Sequence, residues 1–125
     1  MKKANNTIIV IAMIETREGV DNIDTILETE GINGVLIGPY DLSGSYGIPG
    51  QVSHYLVTEA KDKVLAACKR HKKLAGQHIV RPDRESIALA VKQGYNFLAV
   101  GMDTVFVSES SKNVLSILKQ ETGIE

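Results

Sequence analysis

The sequence contains a single cysteine, Cys68, among its 125 residues. One cysteine cannot form a disulfide within the chain, which excludes the disulfide-stabilised class of small secreted domains and favours a reducing cytoplasmic setting. Cys68 follows Val64 by four residues, so the two side chains share one face of a predicted helix. We therefore expect Cys68 to be a buried structural thiol and not a nucleophile.

An excess of one charge and long apolar runs are missing as well. Lys and Arg together number 14 against 15 Asp and Glu, which gives a formal net charge of -1. Binding to nucleic acid or to an anionic membrane surface would favour a basic patch, so we predict neither partner. The one dense basic run, Lys69 to Lys73, ends a predicted helix, where cations suit the helix dipole. No apolar run reaches the ~18 residues that suggest a membrane-spanning helix.

The sequence also lacks a glycine-rich phosphate-binding turn after its first predicted strand. Doubly wound nucleotide-binding folds usually carry such a turn at this point. Here the turn contains Glu15 and Glu18, and two negative charges would repel a phosphate. A dinucleotide-binding domain is therefore disfavoured.

Four strand–helix units follow one another along the chain. Short apolar runs rich in Val and Ile are typical of strands buried on both faces of a parallel sheet. The predicted strands are Ile8–Ile14, Gly34–Ile37, Ala75–Val80 and Phe97–Val100, and the predicted helices are Val20–Thr29, Ser53–Lys72, Arg84–Gln93 and Val105–Glu121. On the last helix we expect four apolar residues to face inward, namely Val107, Val114, Leu115 and Leu118.

Strands that alternate with helices of this length predict right-handed βαβ units and one parallel α/β domain over residues 1–125. Four units are too few to close a (β/α)8 barrel, which typically needs about 250 residues. A half-barrel, (βα)4, fits the count better. Four strands would leave two open edges and an apolar face. We therefore expect the chain to pair with a second copy or with a complementary half-barrel.

A carboxylate follows each of the first two predicted strands. Glu15 comes directly after the first strand, and Asp41 lies four residues beyond the second. Parallel α/β folds bind their ligands at the C-terminal ends of the strands, so this pair indicates a divalent-cation site. The alternatives are a helix N-cap for Asp41 and a solvated turn for Glu15. The glycine-rich stretch from Pro39 to Gly50 is long for a connection, which makes it a candidate functional loop.

From Ile8 to Leu118 the chain resembles the C-terminal half of the HpcH/HpaI aldolase family, the metal-dependent class II pyruvate aldolases. Three motifs carry the resemblance in this order: Ile14-Glu15-Thr16-Arg17-Glu18-Gly19, Asn33-Gly34-Val35-Leu36-Ile37-Gly38-Pro39-Tyr40-Asp41-Leu42-Ser43 and Ala99-Val100-Gly101-Met102-Asp103-Thr104. Members of this family are (β/α)8 barrels. The resemblance therefore implies a parallel (βα)4 fold equivalent to the second half of a TIM barrel.

The resemblance also implies which residues form the site. Glu15 and Asp41 correspond to the two protein ligands of a divalent ion, Mg²⁺ or Mn²⁺ with Co²⁺ as a further candidate. Tyr40 and Asp41 match positions whose backbone meets the substrate carboxylate. Met13 stands where many members have a substrate-contacting Gln, and a thioether cannot donate a hydrogen bond.

No catalytic residue of this chain follows from the resemblance. The family takes its catalytic His, the supporting Asp and the transition-state Arg from an N-terminal half that these residues do not match. His78 lies on the third predicted strand and could face a barrel interior. It is a candidate general base because histidine titrates near neutrality, although a structural histidine is the default interpretation.

The implied reaction is the cleavage of a 4-hydroxy-2-oxo acid to pyruvate and an aldehyde, through an enolate stabilised by the divalent metal. This chain would supply the metal-binding half of such a carbon–carbon lyase. A related citrate- or malyl-CoA-lyase-like cleavage occurs in the same superfamily, but nothing basic in the chain marks a CoA site. The alternative from another class is a non-catalytic fragment or assembly module that binds metal and an oxo acid but lacks the general base.

Overall fold

Four strands and six helices make up residues 7–124, the part of the chain that the computed structural model describes, and two helices in succession follow each of the first two strands. The strands are β1 (Ile11–Ile14), β2 (Gly34–Ile37), β3 (Leu74–Ile79) and β4 (Phe97–Val100), and the helices are α1 (Arg17–Asp21), α2 (Ile23–Glu28), α3 (Pro39–Ser45), α4 (Tyr55–His71), α5 (Arg84–Gln93) and α6 (Asp103–Thr122). All strands are parallel and lie side by side in chain order, β1-β2-β3-β4. The predicted parallel (βα)4 fold is confirmed.

Helices cover one face of this sheet and leave the other face open. On the covered face Ile14 and Ile37 are neighbours in the register and are fully buried. The open face carries the row Met13, Leu36, Gly76 and Phe97, which runs straight across all four strands. Met13 is 56% exposed there. The prediction that the strands are buried on both faces is wrong for the described residues, because no helix of this chain packs on the open face.

Helix α4 supplies the largest part of the core. Its apolar residues Val57, Ala60, Val64 and Cys68 recur at helical spacing and are buried, as expected for a helix that packs on a sheet. Cys68 is 1% exposed, and burial raises the pKa of its thiol to about 11. Cys68 is therefore the buried structural thiol that its place on the helix predicts.

The structure differs from the prediction at two helix boundaries, one set by a short polar side chain and the other by a proline. The predicted first helix is broken at Asn22, which ends α1 and begins α2 while its side-chain amide donates to the Glu18 carbonyl at 2.9 Å. Such a side chain competes with the helical hydrogen-bond pattern. The predicted loop after Pro39 begins instead with helix α3, since proline suits the first position of a helix.

Helix α6 has no buried residue. The prediction that Val107, Val114, Leu115 and Leu118 face inward is wrong, because each is more than half exposed. Their spacing does produce an apolar helix face, but no surface within residues 7–124 covers it. None of the described helices is both long and apolar enough to cross a membrane.

An ion-pair cluster joins α2 to the end of α4 and should make stability depend on pH. Asp24 Oδ1 accepts a hydrogen bond from Arg70 at 2.7 Å and lies 2.8 Å from His71 Nε2. Arg70 first, and then His71, hold the pKa of Asp24 below its ordinary value of 3.8. A lowered pKa stabilises the fold above pH 3.8, and this contribution is lost as the pH falls through the folded-state pKa.

We therefore expect Asp24→Asn to lower the urea midpoint at pH 7 and to have no effect once the pH lies well below 3.8. Urea denaturation followed by circular dichroism at a series of pH values measures this difference. The control is Glu28→Gln on the same helix, whose carboxylate has no ion-pair partner among the described residues. A midpoint difference for Asp24→Asn that stayed constant with pH would contradict the assigned cause.

Candidate functional site

Glu15 lies between the end of β1 and the start of α1. It directly follows Ile14, the last residue of β1, and directly precedes Thr16, the N-cap of α1. The Thr16 hydroxyl accepts a hydrogen bond from the Gly19 amide at 3.0 Å, which fixes the turn. Alternation along the strand places Glu15 on the same face as Met13, the open face of the sheet. The carboxylate is thus held on a short, well-defined link at the C-terminal end of a strand.

Gly38 forms a close-fitting surface beside this carboxylate. Its amide donates to the Ile14 carbonyl at 3.1 Å and extends the contact between β1 and β2 beyond their ends. A Cβ atom placed on Gly38 would lie 3.3 Å from Glu15 Cβ, 3.4 Å from Glu15 Oε2 and 3.8 Å from Met13 Sδ. Met13 and Glu15 therefore both lie beside Gly38. Any side chain at position 38 would crowd the Glu15 carboxylate.

Tyr40 and Asp41 lie in the first turn of α3. Gly38 is the N-cap of this helix and Pro39 is its first residue, so the alternative in which Asp41 is the N-cap is wrong. Tyr40 is 54% exposed, and the Asp41 side chain is exposed as well. Among residues 7–124, the carboxylates of Glu15 and Asp41 have no hydrogen-bond or ion-pair partner. The strand-end carboxylates are thus free to accept a cation.

Two serines of the glycine-rich stretch after Pro39 fix the position of α3. The buried Ser43 hydroxyl donates to the Tyr40 carbonyl at 2.6 Å and accepts from the Gly50 amide at 2.9 Å. The Ser45 hydroxyl accepts from the Arg17 amide at 2.9 Å and so joins α3 to the turn that follows Glu15. The run Gly44-Ser45-Tyr46-Gly47 is typical of a flexible loop, and it gave no signal of the contact made by Ser45.

His78 lies on β3 and faces the open side of the sheet with Gly76, two residues earlier. Its Nε2 lies 3.1 Å from the Gly101 carbonyl oxygen. A carbonyl oxygen only accepts, so Nε2 donates and Nδ1 is the nitrogen left for base chemistry. His78 and Tyr40 also line one cavity of about 330 Å³, which Glu15 and Asp41 do not line. These contacts agree with the structural histidine that was the default interpretation.

Glu15 and Asp41 carry the kind of ligand atom that a hard divalent cation takes. Carboxylate oxygens are the ligands that Mg²⁺ and Mn²⁺ prefer, and Gly38 leaves room beside Glu15 Oε2. Within residues 7–124, no three or more His, Cys, Asp or Glu side chains come together in a way that could hold a metal ion. A cation at this site would therefore take two side chains from this chain and its remaining ligands from elsewhere.

Comparison with known proteins agrees with the fold and with the strand-end motifs. The family model of the HpcH/HpaI aldolase/citrate lyase domain matches residues 1–110. The 2-keto-3-deoxy-L-rhamnonate aldolase of Escherichia coli O6:K15:H31 (strain 536 / UPEC) is 36% identical over 119 residues. The match spans 95% of this chain but only 44% of that relative.

Solved structures also match nearly all of this chain and about half of their own length. An HpcH/HpaI aldolase from Desulfitobacterium hafniense DCB-2 superposes with a TM-score of 0.85 at 30% identity, over 94% of this chain and 45% of that one. The citrate synthase SbnG superposes with a TM-score of 0.85 at 33% identity, over 99% and 50% of the two chains. A citrate lyase beta subunit from M. tuberculosis, complexed with oxaloacetate and magnesium, shares the fold with a TM-score of 0.65 at 19% identity.

The chain spans about half the length of the proteins that it matches. These structural neighbours share the TIM-barrel fold of the HpcH/HpaI aldolases, so the (βα)4 sheet corresponds to half of such a barrel. The family-model match, the sequence identity and the shared fold agree. The chain belongs to the HpcH/HpaI aldolase/citrate lyase family.

Proposed function

We propose that this chain is the metal-binding half of an HpcH/HpaI-type carbon–carbon lyase that cleaves 4-hydroxy-2-oxo acids to pyruvate and an aldehyde. One observation carries the proposal. The unpartnered carboxylate of Glu15 lies against Gly38, and Asp41 follows three residues later in the first turn of α3. Membership of an aldolase/citrate lyase family supports the reaction class.

Glu15 and Asp41 would hold the cation, Mg²⁺ or Mn²⁺ with Co²⁺ as a further candidate. When bound, the cation supplies positive charge that stabilises the enolate oxygen of pyruvate. Glu15 is fixed between the end of β1 and the Thr16 cap, and Ser43 and Ser45 fix the helix that carries Asp41. Both ligands would therefore be preorganised, which lowers the entropic cost of binding.

The backbone at the start of α3 would bind the carboxylate of the oxo acid. The amides of Tyr40 and Asp41 have no acceptor among the described residues, as is usual for the first turn of a helix. Met13 would border the same substrate from β1, because its sulfur lies close to Gly38. Its thioether cannot donate a hydrogen bond, so Met13 would make only apolar contact.

The general base is the missing part of this mechanism. Within this chain only Nδ1 of His78 is proposed for that role, since Nε2 is engaged with Gly101. We infer that the chain pairs with a second copy or a complementary half-barrel, and that no nucleic acid or membrane is a partner. The single buried thiol suits a cytoplasmic location.

A second candidate function is a non-catalytic module that binds metal and an oxo acid. The observation that favours it is the hydrogen bond from His78 to the Gly101 carbonyl, which gives this histidine a structural role. The two candidates share the site of Glu15 and Asp41 and differ only in whether a base acts there.

Exchange of the pyruvate methyl protons in D₂O distinguishes the two. For the lyase half we expect exchange with Mg²⁺ that is at least about tenfold faster than with EDTA, as positioned acid–base catalysis typically provides 10²–10⁴-fold. Proton NMR of pyruvate with the purified chain measures the rate, and Glu15→Gln is the control. Metal binding without exchange would support the non-catalytic module. A folded chain that neither bound metal nor exchanged the methyl protons would contradict both candidates.

A further inference from the structure

Lys61 lies at the edge of the apolar face of α4. It follows the buried Val57 by four residues and the buried Ala60 by one, so its stem packs beside the core. Among residues 7–124 its ammonium group makes no hydrogen bond and no ion pair, and Nζ lies 6.0 Å from the centre of the Tyr95 ring. Burial lowers the pKa of Lys61 from its ordinary value of 10.5, although the charge of Asp62 opposes this shift. Burying a cation without a partner costs free energy, which a bound anion would offset.

The cavity of about 330 Å³ that His78 and Tyr40 line opens beside Lys61. Among the described residues, its walls come from α3, α4, β3 and α5 and from the segments that join these elements. Its charged side chains are Lys61 and Arg81, and none of the described Asp or Glu residues lines it. Arg81 is paired with Glu109 at 2.9 Å, which leaves Lys61 as the cation without a carboxylate. A cavity of this size and charge suits a small anion.

An unpaired hydrogen-bond acceptor belongs to the same cavity. Gln77 lines it and lies on β3 between Ala75 and Ile79, which are both buried on the face that the helices cover. The Oε1 atom of Gln77 is buried and has no hydrogen-bond partner among residues 7–124. Buried polar atoms are nearly always paired, so an unpaired acceptor indicates a missing donor. Lys61 lacks an acceptor and Gln77 lacks a donor, and one molecule with both groups would satisfy the two side chains.

These two side chains define the chemistry of a fitting ligand. An oxyanion would accept a charge-assisted hydrogen bond from the Lys61 ammonium group, and a hydroxyl group of the same molecule would donate to Gln77 Oε1. The Ser53 hydroxyl also lines the cavity, without a partner among the described residues, and would add a third hydrogen bond. Small 2-hydroxy carboxylates and hydrogen phosphate both combine an oxyanion with a hydroxyl donor.

We propose that this cavity is a second ligand site, in which Lys61 binds a small oxyanion and Gln77 accepts a hydrogen bond from a hydroxyl group of the same molecule. The site is distinct from the proposed metal site, because Glu15 and Asp41 do not line the cavity. The inference therefore goes beyond the proposed function and does not depend on it.

Calorimetric titration in EDTA tests the site, with lactate and inorganic phosphate as probes. We expect Lys61→Met to weaken binding at least about tenfold, because a hydrogen bond to a charged group is lost. The control is Lys63→Met on the same helix, since Lys63 pairs with Asp21 at 3.0 Å and lines a different cavity. Glu15→Gln should also bind like the unmodified chain, which separates this site from the metal site. Binding of lactate alone or of phosphate alone would identify which oxyanion the site takes. No saturable binding of either probe, or equal losses in the two lysine variants, would overturn the proposal.

Urea denaturation gives a second readout that a purely structural lysine would not produce. Without an anion, Lys61→Met should raise the urea midpoint, because an apolar side chain of similar length replaces a partly buried, unpaired charge. Lactate should raise the midpoint of the unmodified chain but not that of Lys61→Met, since a ligand stabilises only the state that binds it. Acetate has no hydroxyl group, so Gln77→Met should bind lactate no more tightly than acetate. A Lys61→Met variant that lactate stabilised as much as the unmodified chain would overturn the proposal.

Discussion

Replacing Glu15 with Gln is expected to weaken the binding of Mg²⁺ or Mn²⁺ by at least about 100-fold, because loss of an outer-shell partner alone typically costs 10–100-fold. Gln keeps the size of the side chain and removes its charge. The Glu15 carboxylate has no partner among the described residues, so the substitution breaks no contact of the fold. Asp41→Asn is expected to have a similar effect for the same reason.

Calorimetric titration with each metal measures these affinities. Glu18→Gln is the matched control, since Glu18 lies three residues beyond Glu15 and is exposed in the first turn of α1. We expect Glu18→Gln to bind metal like the unmodified chain. Unchanged affinity in both Glu15→Gln and Asp41→Asn would remove the metal site from the proposal while leaving the family and the fold untouched.

Gly34→Ala is expected to reduce the free energy of unfolding by about 3 kcal/mol, at the upper end of the usual cost of overpacking a core. Gly34 is buried on β2 and pairs with Leu74 on β3. A Cβ atom there would lie 2.4 Å from Leu74 Cβ, 2.5 Å from the Leu74 carbonyl oxygen and 2.9 Å from Leu74 Cα. Two of these atoms belong to the backbone, so β2 and β3 would have to move apart.

Gly44→Ala is the matched control for this prediction. Gly44 lies within helix α3, and an added Cβ would meet nothing within 4 Å. Alanine is favoured over glycine in a helix by about 1 kcal/mol, so this variant should be slightly stabilised. Urea denaturation followed by circular dichroism compares the two. Similar midpoints for Gly34→Ala and the unmodified chain would show that the β2–β3 contact yields more easily than its geometry indicates.

The sequence predicts the sheet well because the residues that define each strand lie within it or directly beside it. Gly34–Ile37 and Phe97–Val100 are strands with the predicted limits, and Arg84–Gln93 is the predicted helix. Each of these elements has a glycine, a proline or an Asp cap at its boundary, such as the Asp83 cap of α5 and Gly94 at its end. Apolar runs and boundary residues together fix such elements without tertiary information.

The incorrect predictions concern residues whose burial or pairing depends on a surface that is distant in sequence. The apolar periodicity of α6 is real, but whether Val114 or Leu118 is buried depends on a partner that residues 7–124 do not provide. The start of β1 at Ile11 instead of Ile8 has the same origin, since an edge strand needs a neighbour to be hydrogen-bonded. Periodicity predicts that a helix has an apolar face, but not which surface covers that face.

The candidate site was likewise predicted from the sequence only in part. The position of Glu15 and Asp41 after successive strands follows from the rule that ligands bind at the C-terminal ends of parallel strands. The contact of Glu15 with Gly38 depends on the register of β1 and β2, and the hydrogen bond from His78 to Gly101 joins residues 23 apart. Nothing in the local sequence encodes these distances, and the roles of Ser43 and Ser45 were missed for that reason.

The chain order of the strands has a consequence for synthesis on the ribosome. Each of β2, β3 and β4 pairs with the strand made just before it, so every new strand finds its partner already present. Pairing only consecutive strands keeps the sequence separation of the contacts lower than pairing distant strands would, and this order suits growth of the sheet from β1 toward β4.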